Sequence, residues 1–424
     1  MSRLILRPAA LDTLAFAIGE VRAFDRPADR LLSHVLRERR VGSQDRPIVA
    51  EGFYAFLRHR LTVEAVAAPT SPGKRGTTDP RALALAALAV HFRRRLTVPA
   101  GEVDRYEKFL DALEAAGPHP RRELPAWLWD RLSQSYGERR TALAEALLAP
   151  APLDLRVNTL RAKRDTVLAR LQAEGFPDAQ PTPYAEQGIR IPNVPGRRID
   201  LARHPLVEDG AIEVQDEGSQ LLVDVVGARR GEFVVDFCAG AGGKTLALAA
   251  RMASTGRLYA FDTNERRLAN LGPRLARSGA TNIQTQVITD EHDPRLARLA
   301  GKADRVLVDA PCSGLGTLRR NPDLKWRQSP ESIRELTALQ ASILDAAARL
   351  VRPGGRLVYA TCSLLREENE AIVEAFLAAH AEQWSMSRER LLEDRWHEAD
   401  GRLSLAPDTH DCDGFFAAVL VKTS

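Results

Sequence analysis

Two cysteines stand at the ends of apolar runs that read as strands: Cys312 in "RVLVDAPCSGLG" and Cys362 in "GRLVYATCSL". Asp309 sits three residues before the first. A free thiol is often merely buried, but two of them beside a carboxylate suit a particular reaction. Carbon 5 of a pyrimidine is a poor nucleophile. A thiolate adding to carbon 6 makes carbon 5 enamine-like and able to attack a methylsulfonium. The adduct must then lose its carbon 5 proton and expel the sulfur. A free cysteine has a pKa near ~8.5, so an attacking thiol needs help from its surroundings. Asp309 can hydrogen-bond the N3 edge of the ring and stabilise the intermediate, and Lys244 can supply positive charge nearby.

Such groups need a scaffold that brings strand ends together. From "EGSQLLVDVV" onward, the strand-like runs "FVVDFC", "RLYAFD", "NIQTQVI", "RVLVDA" and "RLVYATC" alternate with helical segments. This alternation predicts a parallel sheet covered on both faces, with ligands at the carboxyl ends of the strands. "VVDFCAGAGGKT" runs strand, turn, helix, so Gly240, Gly242 and Gly243 open a helix N-terminus to a ligand. It is no nucleotide-binding P-loop, because that motif needs glycine where Cys238 stands. Asp262 lies 20 residues after Gly242 and is placed to bind ribose hydroxyls. The loop and the acid leave NAD and S-adenosylmethionine level. The two thiols, for which hydride transfer has no use, favour the second. Cys238 itself reads as a packing residue.

Composition sets the frame. The 424 residues are 44% hydrophobic and 27% charged, enough for two or three soluble domains. "ALALAALAV", the longest apolar run, is too short to span a bilayer. No secretory h-region is read at the start. The four cysteines (238, 312, 362, 412) form no CxxC pair, and His410 with Cys412 gives only two ligands, so no metal is expected. A monomer in the reducing cytoplasm is expected. Charge is uneven: residues 1–205 carry 33 Lys and Arg against 24 Asp and Glu, a balance of +9, whereas the remainder carries 27 against 32, or −5. A polyanionic partner for the front half follows, with a phosphate backbone the obvious candidate.

The chain divides into a helical region at 1–125, a small α/β module at 150–208 with strands in "DLRVNTL" and "GIRIP", and the alternating region at 209–424. Breaker-rich stretches, "APTSPGKRGTTDP" and "GPHPRRELP", punctuate the first of these. Arg319, Arg320, Lys325 and Trp326 in "LRRNPDLKWR" are candidates to contact RNA, although Trp326 is equally suited to a core.

"DFCAGAGGKT", "DAPCSGLGTLRRNPDLKW", "YATCSLLREENEAIVEAFL" and "DGFFAAVLVK" together resemble the Sun/Nop-type RNA cytosine-5 methyltransferases, most of all the bacterial small-subunit ribosomal RNA branch. The resemblance implies an α/β fold with a Rossmann-like catalytic domain and S-adenosylmethionine as cofactor. It also implies Cys362 as nucleophile and Cys312 as an aid to product release. By the same match Cys238, Ala239, Gly240, Ala241, Gly242, Gly243, Lys244, Asp262, Asp290 and Asp309 line the cofactor site, Ala241 standing where the family carries proline. The 150–208 module is similar to the family's small RNA-binding module, and the helical region to its NusB-like domain. Ribosomal RNA is the implied partner. A transfer RNA or DNA cytosine-5 methyltransferase, or a non-catalytic ribosome-assembly protein, are the rival readings.

Overall fold

The computed structural model describes residues 4–68, 79–116, 123–193, 201, 203–387 and 401–423. Most of the two breaker-rich stretches, at 69–78 and 117–122, lies outside them. The chain forms two compact units, Met1–Leu148 with Arg320–Ser329, and Ala149–Arg319 with Pro330–Ser424. Among the described residues no helix is long and apolar enough to cross a membrane.

The first unit is helical. Its central helix, Pro80–Phe92, buries every residue from Ala82 to Ala89. A helix apolar all round must be surrounded by others, and Pro8–Val21 and Arg46–Arg58 pack on it. Gly52 permits the close approach, since a Cβ there would lie 2.7 Å from Leu14 and 2.9 Å from Leu88. Helices Ala126–Tyr136 and Arg140–Leu148 carry the unit past residue 125.

Residues 320–329 belong to this unit and end its helices. The last carbonyls of a helix lack intrahelical donors. Lys325 Nζ donates to the Arg58 carbonyl at 2.7 Å and Trp326 Nε1 to that of Leu57 at 2.8 Å. The Asp323 carboxylate accepts from the amide of Ala28, at the start of helix Ala28–Glu38. Lys325 is buried, and burial pulls its ammonium down to about 7. Lys325 and Trp326 therefore direct these donors inside the unit: Trp326 takes the packing role the sequence also left open to it, and buried Lys325 ends a helix in place of contacting RNA.

In the second unit a four-stranded antiparallel sheet runs Gln180–Pro181, Gly188–Ile191, Leu153–Val157, Ile212–Val214, with helix Arg164–Ala173 over it. Its last strand lies beyond residue 208, because three residues are too few to show a strand period.

Among the described residues the larger sheet has eight strands: β1 Phe233–Asp236, β2 Arg257–Asp262, β3 Ile283–Val287, β4 Ala303–Asp309, β5 Val351–Thr361, β6 Trp384–Met386, β7 Arg402–Leu405 and β8 Phe415–Lys422. Its order is β6-β8-β5-β4-β1-β2-β3, with β7 also paired to β8. The five strands foreseen from the sequence are parallel, whereas β6, β7 and β8 pair antiparallel, so the sheet is mixed. Alternate residues of β4 serve opposite faces. Val306 and Val308 join the core beneath helices α3 (Pro330–Ala348) and α4 (Glu370–Ala379), while Leu307 joins that of α1 (Glu217–Val226) and α2 (Gly243–Arg251). A sheet buried on both faces has only its strand ends free for chemistry.

Candidate functional site

A cavity of about 710 Å³ opens at the carboxyl ends of β1, β2, β4 and β5. That is within the usual range for a small-molecule site. Each wall follows from a local feature of the chain.

The floor is the turn from β1 to α2. Gly240 and Gly242 have φ of 55° and 81°, a region costly for other residues. A Cβ on Gly240 would lie 2.7 Å from the Arg267 guanidinium, and one on Gly242 would lie 2.3 Å from Leu271. These two glycines thus seat the turn against the segment after β2. Cys238, Ala239, Gly240, Ala241, Gly243 and Lys244 line the cavity, whereas Gly242 does not. The Ala241 carbonyl is fixed by Arg274, which also pairs with Glu213. A defined turn thus forms without the proline.

Asp262, at the end of β2, also lines the cavity. One carboxylate oxygen accepts the amide of Gly240 and the other that of Asn264, both at 2.7 Å. Each oxygen keeps a lone pair for a ligand. The sequence pattern missed Asp236. Its carboxylate is buried at the end of β1, with one oxygen bonded to Thr245 and the other without a partner among the described residues. Burial, with the charges of Asp309 and Asp262 behind it, pushes this acid up to about 7. Ile288, Leu339 and Ile343 make an apolar wall, with Glu291 beside them. Asp290, expected at this wall, is exposed and outside the lining. Its carboxylate accepts the amide of His292 and so closes the turn after β3.

Lys244 Nζ donates to Asp309 at 2.8 Å. Burial alone would pull this ammonium down; the charge of Asp309 and its hydrogen bond override that and hold it above its ordinary value. Asp309 thus accepts from Lys244 at the end of β4, on the wall of the cavity.

Cys312 and Cys362 both line the cavity, with their sulfurs 3.4 Å apart. The Cys312 thiol is raised well above its ordinary value by its hydrogen bond to Cys362, then by burial. Cys238 is half-buried and its thiol is raised by burial. Cys412 is buried in the core, and the His410 Nδ1 accepts the Ala406 amide instead of meeting it at a metal. Among the described residues no three His, Cys, Asp or Glu side chains gather as metal ligands.

The residues present fit S-adenosylmethionine. An unpartnered buried acceptor on Asp236 suits its ammonium, the Asp262 lone pairs suit a ribose diol, and the apolar wall suits a flat base.

Comparison with known proteins gives the same picture. Residues 224–421 match the model for the 16S rRNA methyltransferase RsmB/F family, and residues 124–195 match the ferredoxin-like domain found in RsmF/B-like methyltransferases. The ribosomal RNA small subunit methyltransferase B of Vibrio vulnificus is 32% identical over 376 residues, 88% of this chain and 82% of that protein. That of Serratia proteamaculans is 34% identical over 373 residues, 88% and 80% of the two chains. The crystal structure of a methyltransferase homologue from Pyrococcus horikoshii superposes with a TM-score of 0.59 at 31% identity, over 69% of this chain and 93% of that one.

Proposed function

Since the chain belongs to the 16S rRNA methyltransferase RsmB/F family, we propose that it methylates carbon 5 of a cytosine in ribosomal RNA. S-adenosylmethionine is its cofactor and, when bound, supplies an electrophilic methyl group. The reading rests above all on two thiols 3.4 Å apart in the cavity that holds the glycine turn.

Cys362 is the nucleophile. Its thiolate adds to carbon 6, and the electron pair of the carbon 5–carbon 6 double bond becomes available at carbon 5. The Lys244 ammonium, held charged by Asp309, lines the same cavity as a positive charge. Lys244 and Asp309 also offer a donor beside an acceptor. The N3 and 4-amino group of cytosine have the complementary polarity, and those of uracil the reverse. After methylation, loss of the carbon 5 proton to a base re-forms the double bond as the carbon 6–sulfur bond breaks. Cys312, kept as a thiol, donates to the departing sulfur.

Alanine variants test this assignment. Cys362→Ala should abolish methyl transfer and leave no covalent species. Cys312→Ala should methylate once and stall as a protein–RNA conjugate, visible as a slow band on a denaturing gel. Accumulation of the conjugate in Cys362→Ala would show that the roles are exchanged.

A further inference from the structure

Each reactive cysteine is followed by a serine two residues before a leucine, "CSGL" at 312–315 and "CSLL" at 362–365. The two turns are built alike. Ser313 Oγ accepts the amide of Leu315 and Ser363 Oγ that of Leu365. Both hydroxyls then donate to the same carboxylate oxygen of Glu368, Ser313 at 2.5 Å and Ser363 closer still. The other carboxylate oxygen accepts the Ser313 amide at 2.8 Å and Gln340 Nε2 at 3.0 Å. Gln340, from α3, also holds the Pro311 carbonyl just before Cys312.

Glu368 is fully buried, outside the cavity lining, and no Lys, Arg or His among the described residues pairs with it. Burying a carboxylate without a counter-ion is costly unless hydrogen bonds replace its water. Here four donors do so, and three of them come from the two cysteine turns. The choice of acid follows from this geometry. A carboxylate only accepts, whereas an amide would turn an N–H toward donors.

We propose that Glu368 is a positioning residue that clamps the Cys312 and Cys362 turns together and so holds the Cys312 thiol beside the Cys362 sulfur to which it donates. The inference rests on the two-thiol reading above. Glu368 touches neither substrate nor cofactor and acts through Ser313 and Ser363. Its charge has a second effect, since it adds to the bond from Cys362 and to burial in keeping Cys312 protonated.

The test uses the full-length enzyme. Glu368→Gln should lower kcat by about tenfold or more, the loss expected for hydrogen bonds to a charged group. Affinity for S-adenosylmethionine, measured by calorimetry, should stay within about twofold. Alkylation of Cys312 by iodoacetamide, followed by mass spectrometry across pH, should move its midpoint to lower pH. Glu368→Asp keeps the charge but shortens the reach, so kcat should fall while the midpoint holds. Should Glu368→Gln fail to fold, the Ser313→Ala/Ser363→Ala pair removes both hydroxyl donors and should reproduce the kcat loss with cofactor affinity retained. Wild-type kcat in Glu368→Gln, or an unmoved Cys312 midpoint, overturns the proposal. Retained methylation by Cys362→Ala would instead sink the two-thiol reading. The alkylation midpoint needs no turnover and still decides the part of Glu368.

Discussion

The two units each bury a lysine, with opposite results. Lys325 in the helical unit is 1% exposed, and its ammonium meets a backbone carbonyl of Arg58. Burial pulls it down to about 7. Lys244 in the second unit is also largely buried, yet it is held above its ordinary value because Asp309 lies 2.8 Å away. A carbonyl dipole satisfies the hydrogen bond but does not offset the desolvation of a full charge; a carboxylate does. One lysine serves as a helix cap that can lose its proton near neutrality. The other is a fixed positive charge beside a thiol.

The sharpest way to break this contrast is to give Lys244 the surroundings of Lys325. Asp309→Asn should cut single-turnover methylation by about a hundredfold or more, as for loss of a preorganised charge in an active site. With its counter-charge gone, Lys244 should lose its proton at lower pH. The ratio of rates at about pH 9 and about pH 7 should then be lower than in the wild type. An unchanged ratio would mean that burial, not Asp309, sets the state of Lys244.

A smaller effect is expected in the helical unit. Lys325 titrates lower in the folded state than its ordinary value of 10.5. The unfolded chain therefore binds more protons between these limits, and stability rises with pH across the window from about 7 to 10.5. The contribution is fully present above the upper limit and is lost as pH falls through the lower one. Lys325→Met should flatten this slope, which is worth on the order of a few kcal/mol over the window. Thermal melts of the full-length protein at several pH values would show it, and parallel wild-type and variant curves would refute it. The smallest effect should come from Trp326→Phe, which keeps most of the packing and loses the donor to Leu57. A cost of about 1 kcal/mol is expected, readable as a shift in the same melts.

Legibility in the sequence followed how local each feature is. The five parallel strands were readable because apolar runs of four to seven residues ended by turn residues report their own burial. The residues at their carboxyl ends, Asp262, Asp309, Cys312 and Cys362, came with them. Strand β8 also reads as apolar, but its direction depends on its partner β5 rather than on its own pattern. An acid after a strand can either face a ligand or close a turn, which its own stretch of sequence does not distinguish; Asp290 takes the amide of His292. Asp236 was hidden inside the strand it ends. Glu368 sat in an acidic run, "REENE", that looks solvated; only the meeting of two distant turns shows why it is buried. Lys325 and Trp326 looked like nucleic-acid contacts because cationic and aromatic side chains also do that work. Nothing nearby in the sequence announces the carbonyls of residues 57 and 58 that they serve.

The membership of residues 320–329 in the helical unit has a consequence for synthesis. When Leu148 leaves the ribosome, the helices before it are all present, but the carbonyls of Leu57 and Arg58 still lack the donors that finish them. Those donors emerge about 180 residues later, roughly ten to forty seconds at ~5–20 residues per second. Through that interval the nascent helical unit must persist unfinished, while the chain that will complete it is still being translated as part of the neighbouring unit.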